Sequence, residues 1–182
     1  ELMLLGPSTI STPGIRVGRA GFLNEVGSTY VGWFWKNAPQ FFDIKKYAGK
    51  YNITASDPLI VSHDLGVEPG CIIIKGITND SDWMVWHHEL PSNQALRLNV
   101  DNSTTNVSTD WLTADDASFS FTSNNSNFSG PSEAYISYIF AKDTPYVKCG
   151  KYSNTGTPNY VVDVGFEPRW MLIKATNNGS NW

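Results

Sequence analysis

Apolar and polar residues alternate one by one in several short runs of this chain, the pattern of strands whose two faces meet different surroundings. Cys71–Lys75 is a short, β-branched apolar run after Pro69-Gly70, and predicts a strand that leaves a turn. From Asp82 to Glu89, Trp83, Val85 and His87 fall on one face and Met84, Trp86 and His88 on the other. Asn79-Asp80-Ser81 separates the two runs with the Asx and Ser residues of a tight connection, so residues 71–89 predict a β-hairpin. Ala95–Val100 sets Leu96, Leu98 and Val100 against Arg97 and Asn99, a half-buried strand. Phe119 and Phe121 share a face opposite serines, and Ala134–Ala141 is the strongest strand of all. Gly, Pro, Asn, Asp, Ser and Thr interrupt the chain too often for helical periodicity. The polar stretches Asp101–Asp110 and Ser123–Ser132 predict exposed loops.

The pattern occurs more than once. Residues 65–83 recur at 164–182, with Gly66, Pro69, Lys75 and Trp83 answered by Gly165, Pro168, Lys174 and Trp182 at an offset of 165 − 66 = 99. Tyr30, Trp33, Trp35, Lys46 and Tyr47 recur as Tyr135, Tyr138, Phe140, Lys151 and Tyr152, at an offset of 135 − 30 = 105. Repeats of this length are whole domains and not solenoid units. The expected organisation is all-β, with antiparallel β-sandwich or jelly-roll modules in tandem. Residues 1–46 read as the C-terminal part of one module, 47–151 as a complete module and 152–182 as the N-terminal part of the next. The chain thus reads as a piece of a longer polypeptide.

Composition narrows the function classes. Charged residues are only 16% and the net charge is −4 with no Lys/Arg run, which removes the electrostatic footprint of a nucleic-acid or anionic-membrane binder. No apolar stretch approaches the roughly 18 residues of a membrane span. Cys71 and Cys149 align with Trp170 and Ile44 in the neighbouring copies, so a module-holding disulfide would not recur; both read as buried thiols acting as small hydrophobes.

Catalytic signatures are missing from the sequence, and no residue is assigned a catalytic or metal-binding role. His87 and His88 are neighbours on a strand and point to opposite faces, so they do not share a metal. Glu68 and Glu167 sit in Gly-x-Glu-Pro turns, where a carboxylate caps or solvates the turn. Cofactors are not expected; oxygen ligands for calcium could come only from Asp80 and Asp82 or from Asp115-Asp116, without EF-hand order. Asn102, Asn106, Asn124 and Asn127 fit the glycan-acceptor triplet, a pattern expected by chance in a chain rich in Asn and Ser. Aromatics make up 13%, with seven tryptophans. Those that recur, Trp83/Trp182, Trp33/Tyr138 and Trp35/Phe140, read as packed positions. Trp86 and Trp111 are therefore the candidates for exposed rings that stack on a glycan, Trp111 because it follows the polar loop.

The run Ile60–Lys75, with Asp82-Trp83-Met84-Val85-Trp86-His87, the strand Tyr135–Ala141 and Gly150-Lys151-Tyr152, resembles a β-rich module of tailed-bacteriophage virion proteins. Marine and cyanobacterial phages carry it, often in tandem and sometimes beside concanavalin-like lectin domains. Asp64 stands where that module usually has Gly, and Trp86 where it usually has Tyr. The resemblance implies a virion structural protein without catalytic residues, placed on the tail or capsid surface: a tail fibre or appendage that helps attach to host glycans. Its partners would be other virion proteins and host surface glycans, with a homotrimer as one possible assembly. A capsid decoration or head-fibre protein is the first alternative, and non-catalytic binding modules of a carbohydrate-active enzyme are the second.

Overall fold

The computed structural model describes residues 25–32, 34–180 and 182; residues 1–24 of the expected first module, and Trp33, lie outside the described residues. Two compact units divide the chain, Glu1–Trp35 and Lys36–Trp182. The second carries the strands β1 (Phe42–Ala48), β2 (Leu59–Ser62), β3 (Pro69–Gly76), β4 (Met84–His87), β5 (Gln94–Arg97), β6 (Thr105–Asn106), β7 (Leu112–Ala114), β8 (Ser118–Phe121) and β9 (Ala134–Ala141). No helix occurs among the described residues, and the fold is all-β with every ladder antiparallel. A six-stranded sheet runs β1-β9-β3-β4-β5-β6 and a three-stranded sheet runs β2-β8-β7. β1 straddles the expected module boundary at 46/47 and pairs along its whole length with β9, from Phe42 opposite Phe140 to Ala48 opposite Ala134.

The two sheets face each other across one apolar core. Ile72, Ile74, Met84, Ala95, Tyr135 and Ile139 come from the larger sheet, and Val61, Leu112, Phe119 and Phe121 from the smaller. The alternation read from the sequence explains these choices, since β9 buries Tyr135, Ser137 and Ile139 on one face. The hairpin β3–β4 forms as expected, with Ile72 opposite Trp86 and Ile74 opposite Met84. β5, by contrast, ends at Arg97, and Leu98–Val100 continue as a turn.

The opposite face of the larger sheet is also apolar. Phe42 and Phe140 meet at 5.0 Å between ring centroids, and Trp83 stacks on Tyr138 at 6.0 Å. Val85 and Leu96 are buried there as well, whereas Ile44 is exposed. A sheet apolar on both faces is the signature of a layer covered on both sides.

The loop 123–132, expected to be exposed, instead folds inward. Phe128 and Ser129 are buried, and Phe128 lies 4.6 Å from Trp111 and 5.3 Å from Phe121 between ring centroids. The loop's polar residues make this burial possible by satisfying its own backbone. Ser129 Oγ donates to the Ser123 carbonyl at 2.8 Å and accepts from the Asn125 N–H at 2.9 Å, and Tyr135 Oη donates to the Ser126 carbonyl at 2.8 Å.

Both cysteines are free and, taken as whole residues, half-buried where full burial was expected. Burial pushes the Cys71 thiol well up, with the nearby Cys149 adding to it, and burial pushes Cys149 up to about 12. A Cβ at Gly70 would lie 2.6 Å from both Cys149 Cβ and Lys142 Cα, so glycine is needed where these segments cross. Because only the thiolate reacts, a disulfide-exchange reagent near pH 8 is expected to leave both thiols unmodified in the native protein. Both should react in denaturant, and fast native-state labelling followed by absorbance would contradict this burial.

Candidate binding cleft

The residues after β5 and the turn of the second repeat meet in an open cleft of about 560 Å³, lined by Leu98, Asn99, Val100, Asp101 and Trp182. Asn99, and Asp82 and Arg97 next to it, are held by their neighbours. Asn99 accepts the Trp83 N–H at 3.0 Å on Oδ1 and donates from Nδ2 to Asp82 Oδ1 at 2.9 Å. Arg97 Nε stands 3.2 Å from Asp82 Oδ2, an ion pair whose angle gives no hydrogen bond, so the buried Nε–H lacks an acceptor. Trp182 Nε1 donates to the Arg97 carbonyl at 2.7 Å, which sets the indole as one wall. Thr104 donates from both N and Oγ1 to the Thr176 carbonyl, each at 3.3 Å, so the two segments are tied at a second point.

Such a cleft combines a flat apolar ring with the Asn99 amide, whose rotamer is already set, and the Asp101 carboxylate. Rings of this kind cover the C–H face of a polyol, while the polar groups take its hydroxyls.

The tryptophans expected to be exposed lie elsewhere. Trp111 is a correction: it is 0% exposed, its indole N–H donates to the Gln94 carbonyl at 3.1 Å, and its ring packs on Phe121 and Phe128. The preceding polar loop ends at Asp110 in a left-handed turn, φ 53°, after which the chain dives into the core. Trp86 is half-buried beside Ile72 and packs against the same core. Neither ring lines the cleft, which is built instead at the recurring Asp82-Trp83 turn and its copy at Trp182. Recurrence marked these rings as packed, and the cleft shows that a recurring ring can also form a wall.

The histidines and acidic pairs have local roles. The strand ends at His87, so His88 escapes the alternation and the two rings stack at 5.1 Å, contrary to the opposite-face expectation. Burial pushes His87 down to about 4, with His88 adding to the effect and Glu89 opposing it. His63 Nε2 lies 3.1 Å from the Asp115 carbonyl. Asp115 is held below its ordinary range by the N–H groups of Ala117 and Ser118, which its Oδ1 accepts at 2.9 and 2.7 Å. Of the other aspartates weighed for calcium, Asp82 is engaged by Arg97 and Asn99.

A family model covers residues 7–182 of the chain. The chain belongs to the family described as a domain of unknown function, DUF7483. Neither the curated proteins nor the solved structures give a match. As a DUF7483 domain, the chain has the family's model running across both compact units and through the cleft.

Proposed function

We propose that this DUF7483 chain is part of a virion appendage of a tailed bacteriophage, a non-catalytic fibre segment whose β modules help hold the particle to host-surface glycans. The observation that carries this reading is the cleft between Trp182 and Asn99-Val100-Asp101, where a ring, a preset amide and a carboxylate suit a sugar. Support comes from the resemblance of the module to phage virion proteins and from the repeat, since several weak sugar contacts on one fibre add by avidity. The tandem arrangement, the place on the tail and a trimeric assembly belong to the same proposal.

NMR titration of the chain with neutral oligosaccharides tests it. Shifts confined to the amides of 97–101 and the Trp182 indole are expected. Trp182→Ala should weaken binding about five- to tenfold, the scale of one lost stacking contact of ~1–1.5 kcal/mol. The module's other amide shifts should stay in place. Absence of binding across sugar classes would overturn the attachment role.

A second reading, a capsid decoration protein, is favoured by the outer face of the larger sheet, where Ile44 is exposed beside the half-buried Ile73, Trp83 and Tyr138. Particle imaging separates the two: density on the shell with this face covered supports decoration, and density on the tail supports the fibre.

A further inference from the structure

Two thiols come together at one end of the larger sheet, away from the cleft. β3 is bulged there: Pro69 stands opposite Ala141 and Cys71 opposite Phe140, which leaves Gly70 as an extra residue between them. The chain that follows β9 returns against this bulge. Cys149 N–H donates to the Lys142 carbonyl at 2.8 Å, and the Cys149 carbonyl lies 3.1 Å from His88 Nε2. His88 in turn donates its main-chain N–H to the Gly70 carbonyl at 3.0 Å. Cys149 is thus held on both sides by contacts to β3's neighbours, against the residue that precedes Cys71.

The bare Cα of Gly70 makes the room for the second thiol. A Cβ there would lie 3.0 Å from Cys149 Sγ as well as 2.6 Å from Cys149 Cβ. Cys71 faces Phe140 in the ladder, and Cys149 Sγ lies 3.5 Å from the carbonyl of the next residue, Ala141, so both cysteines abut the same end of β9. The repeat sets the arrangement apart. Gly70-Cys71 is answered by Arg169-Trp170 and Cys149 by Ile44 of β1, so the small residue and the two thiols occur together at this one passage between copies.

We propose that Cys71 and Cys149 join in a disulfide when the chain folds in the presence of a small-molecule disulfide such as oxidised glutathione, stapling the chain that leaves β9 onto β3. Before the module closes, both thiols are in water and ionise in the ordinary range near pH 8.5. One thiolate attacks oxidised glutathione, whose sulfur–sulfur bond breaks and releases one glutathione thiolate. The other attacks the protein sulfur of the mixed disulfide and releases the second. The two protein thiols lose two protons and two electrons, and the oxidised glutathione becomes two molecules of the thiol. Folding then buries the bond, as it buries the reduced pair. A bridge belonging to one passage between copies need not recur in each of them.

The full chain, reduced and unfolded in urea, is refolded in glutathione buffers of graded ratio, and the approach is repeated from the oxidised chain. A loss of about 2 Da, two hydrogens, is expected, with the peptides of Cys71 and Cys149 joined in a non-reducing digest. Bridge and fold stabilise one another by linkage, and the bridge closes a loop of 149 − 71 = 78 residues. Half-oxidation of the folded chain should therefore need at least about tenfold less oxidised glutathione than half-oxidation of the chain kept in urea. Cys149→Ala should refold to the same amide protection in β3 and β9 and lose no hydrogens. A folded chain that keeps two thiols, or that carries glutathione on each cysteine, overturns the proposal. Equal or easier oxidation in urea also overturns it, because the fold would then not hold the two sulfurs in bonding position.

Discussion

Trp111→Ala is expected to lower the unfolding free energy by about 3–5 kcal/mol, the usual cost of truncating a core aromatic. That is a large share of the roughly 5–15 kcal/mol that holds an ordinary domain folded. The ring is fully buried between Phe121 and Phe128, at 6.3 and 4.6 Å between ring centroids, so its removal loses transfer free energy and leaves a cavity. A second loss adds to this. Trp111 Nε1 is the donor to the Gln94 carbonyl at the edge of β5, and alanine removes that part-buried hydrogen bond. Trp111→Phe keeps much of the packing and loses the donor, so it should fall between wild type and alanine. Trp86→Ala, at a half-buried ring, should cost less than Trp111→Ala. Urea unfolding checks the order through the midpoints at constant slope. A Trp111→Ala midpoint equal to wild type would mean that the ring is not in the core.

Asp43 supplies the second large effect. It is a fully buried carboxylate on β1, a strand whose residues from Ile44 to Ala48 are half-buried or exposed. Its Oδ1 accepts from Asn37 Nδ2 at 2.7 Å and the Ile44 N–H at 2.8 Å, and its Oδ2 accepts from the Asp64 N–H at 2.7 Å. Lys45 Nζ stands 3.3 Å from Asp43 Oδ2 and 2.5 Å from Asp64. Asp43 thereby joins β1 to the turn that leads into β3. Asp43→Ala removes the acceptor of three part-buried hydrogen bonds, each worth roughly 0.5–1.5 kcal/mol where its donor can turn to water. An overall loss of about 2–4 kcal/mol is expected. Asp43→Asn should recover little, because its amide turns a donor toward donors.

The same contacts give Asp43 a pH signature. Burial by itself raises the pKa, but the N–H groups of Asp64 and Ile44, with Asn37 and Lys45, outweigh it and hold the group below its ordinary 3.8. A depressed carboxylate contributes stability that is complete above the unfolded pKa and fades as pH falls through the folded one. Wild-type stability should therefore drop between about pH 5 and pH 2, and Asp43→Ala should drop less over that interval. Parallel acid profiles for the two proteins would show that Asp43 is not held in this way.

Much of the fold was legible before any coordinate. The hairpin β3–β4, the strand at Ala134–Ala141 and the paired Phe119 and Phe121 all followed from alternation, because a strand displays consecutive side chains on opposite faces wherever it sits. Long-range burial was harder to read. Ser123–Ser132 has the composition of a wet loop, yet Asn125, Ser129 and the Tyr135 hydroxyl satisfy its backbone and let Phe128 go inside. Trp111 followed a polar loop and was read as exposed, whereas a single left-handed residue turns it into the core. The cleft was missed because its wall and floor lie 182 − 99 = 83 positions apart, and only folding brings Trp182 to Asn99.

The two copies of one motif divide what each level determines. Turn chemistry is local: Gly66 and Gly165 take the same left-handed backbone, and Lys75 and Lys174 close the same bond, whether or not a sheet surrounds them. Their energies depend on residues a few positions apart, so the sequence alone determines them. Strand formation and burial are not local, because a ladder needs a second strand and an apolar face needs a second layer. With β9 and β4 beside it, Ile72-Ile73-Ile74 is the centre of a sheet, while Met171-Leu172-Ile173, carrying the same code without those neighbours, stays outside any strand. Strand formation thus depends on long-range pairing and not on the local code.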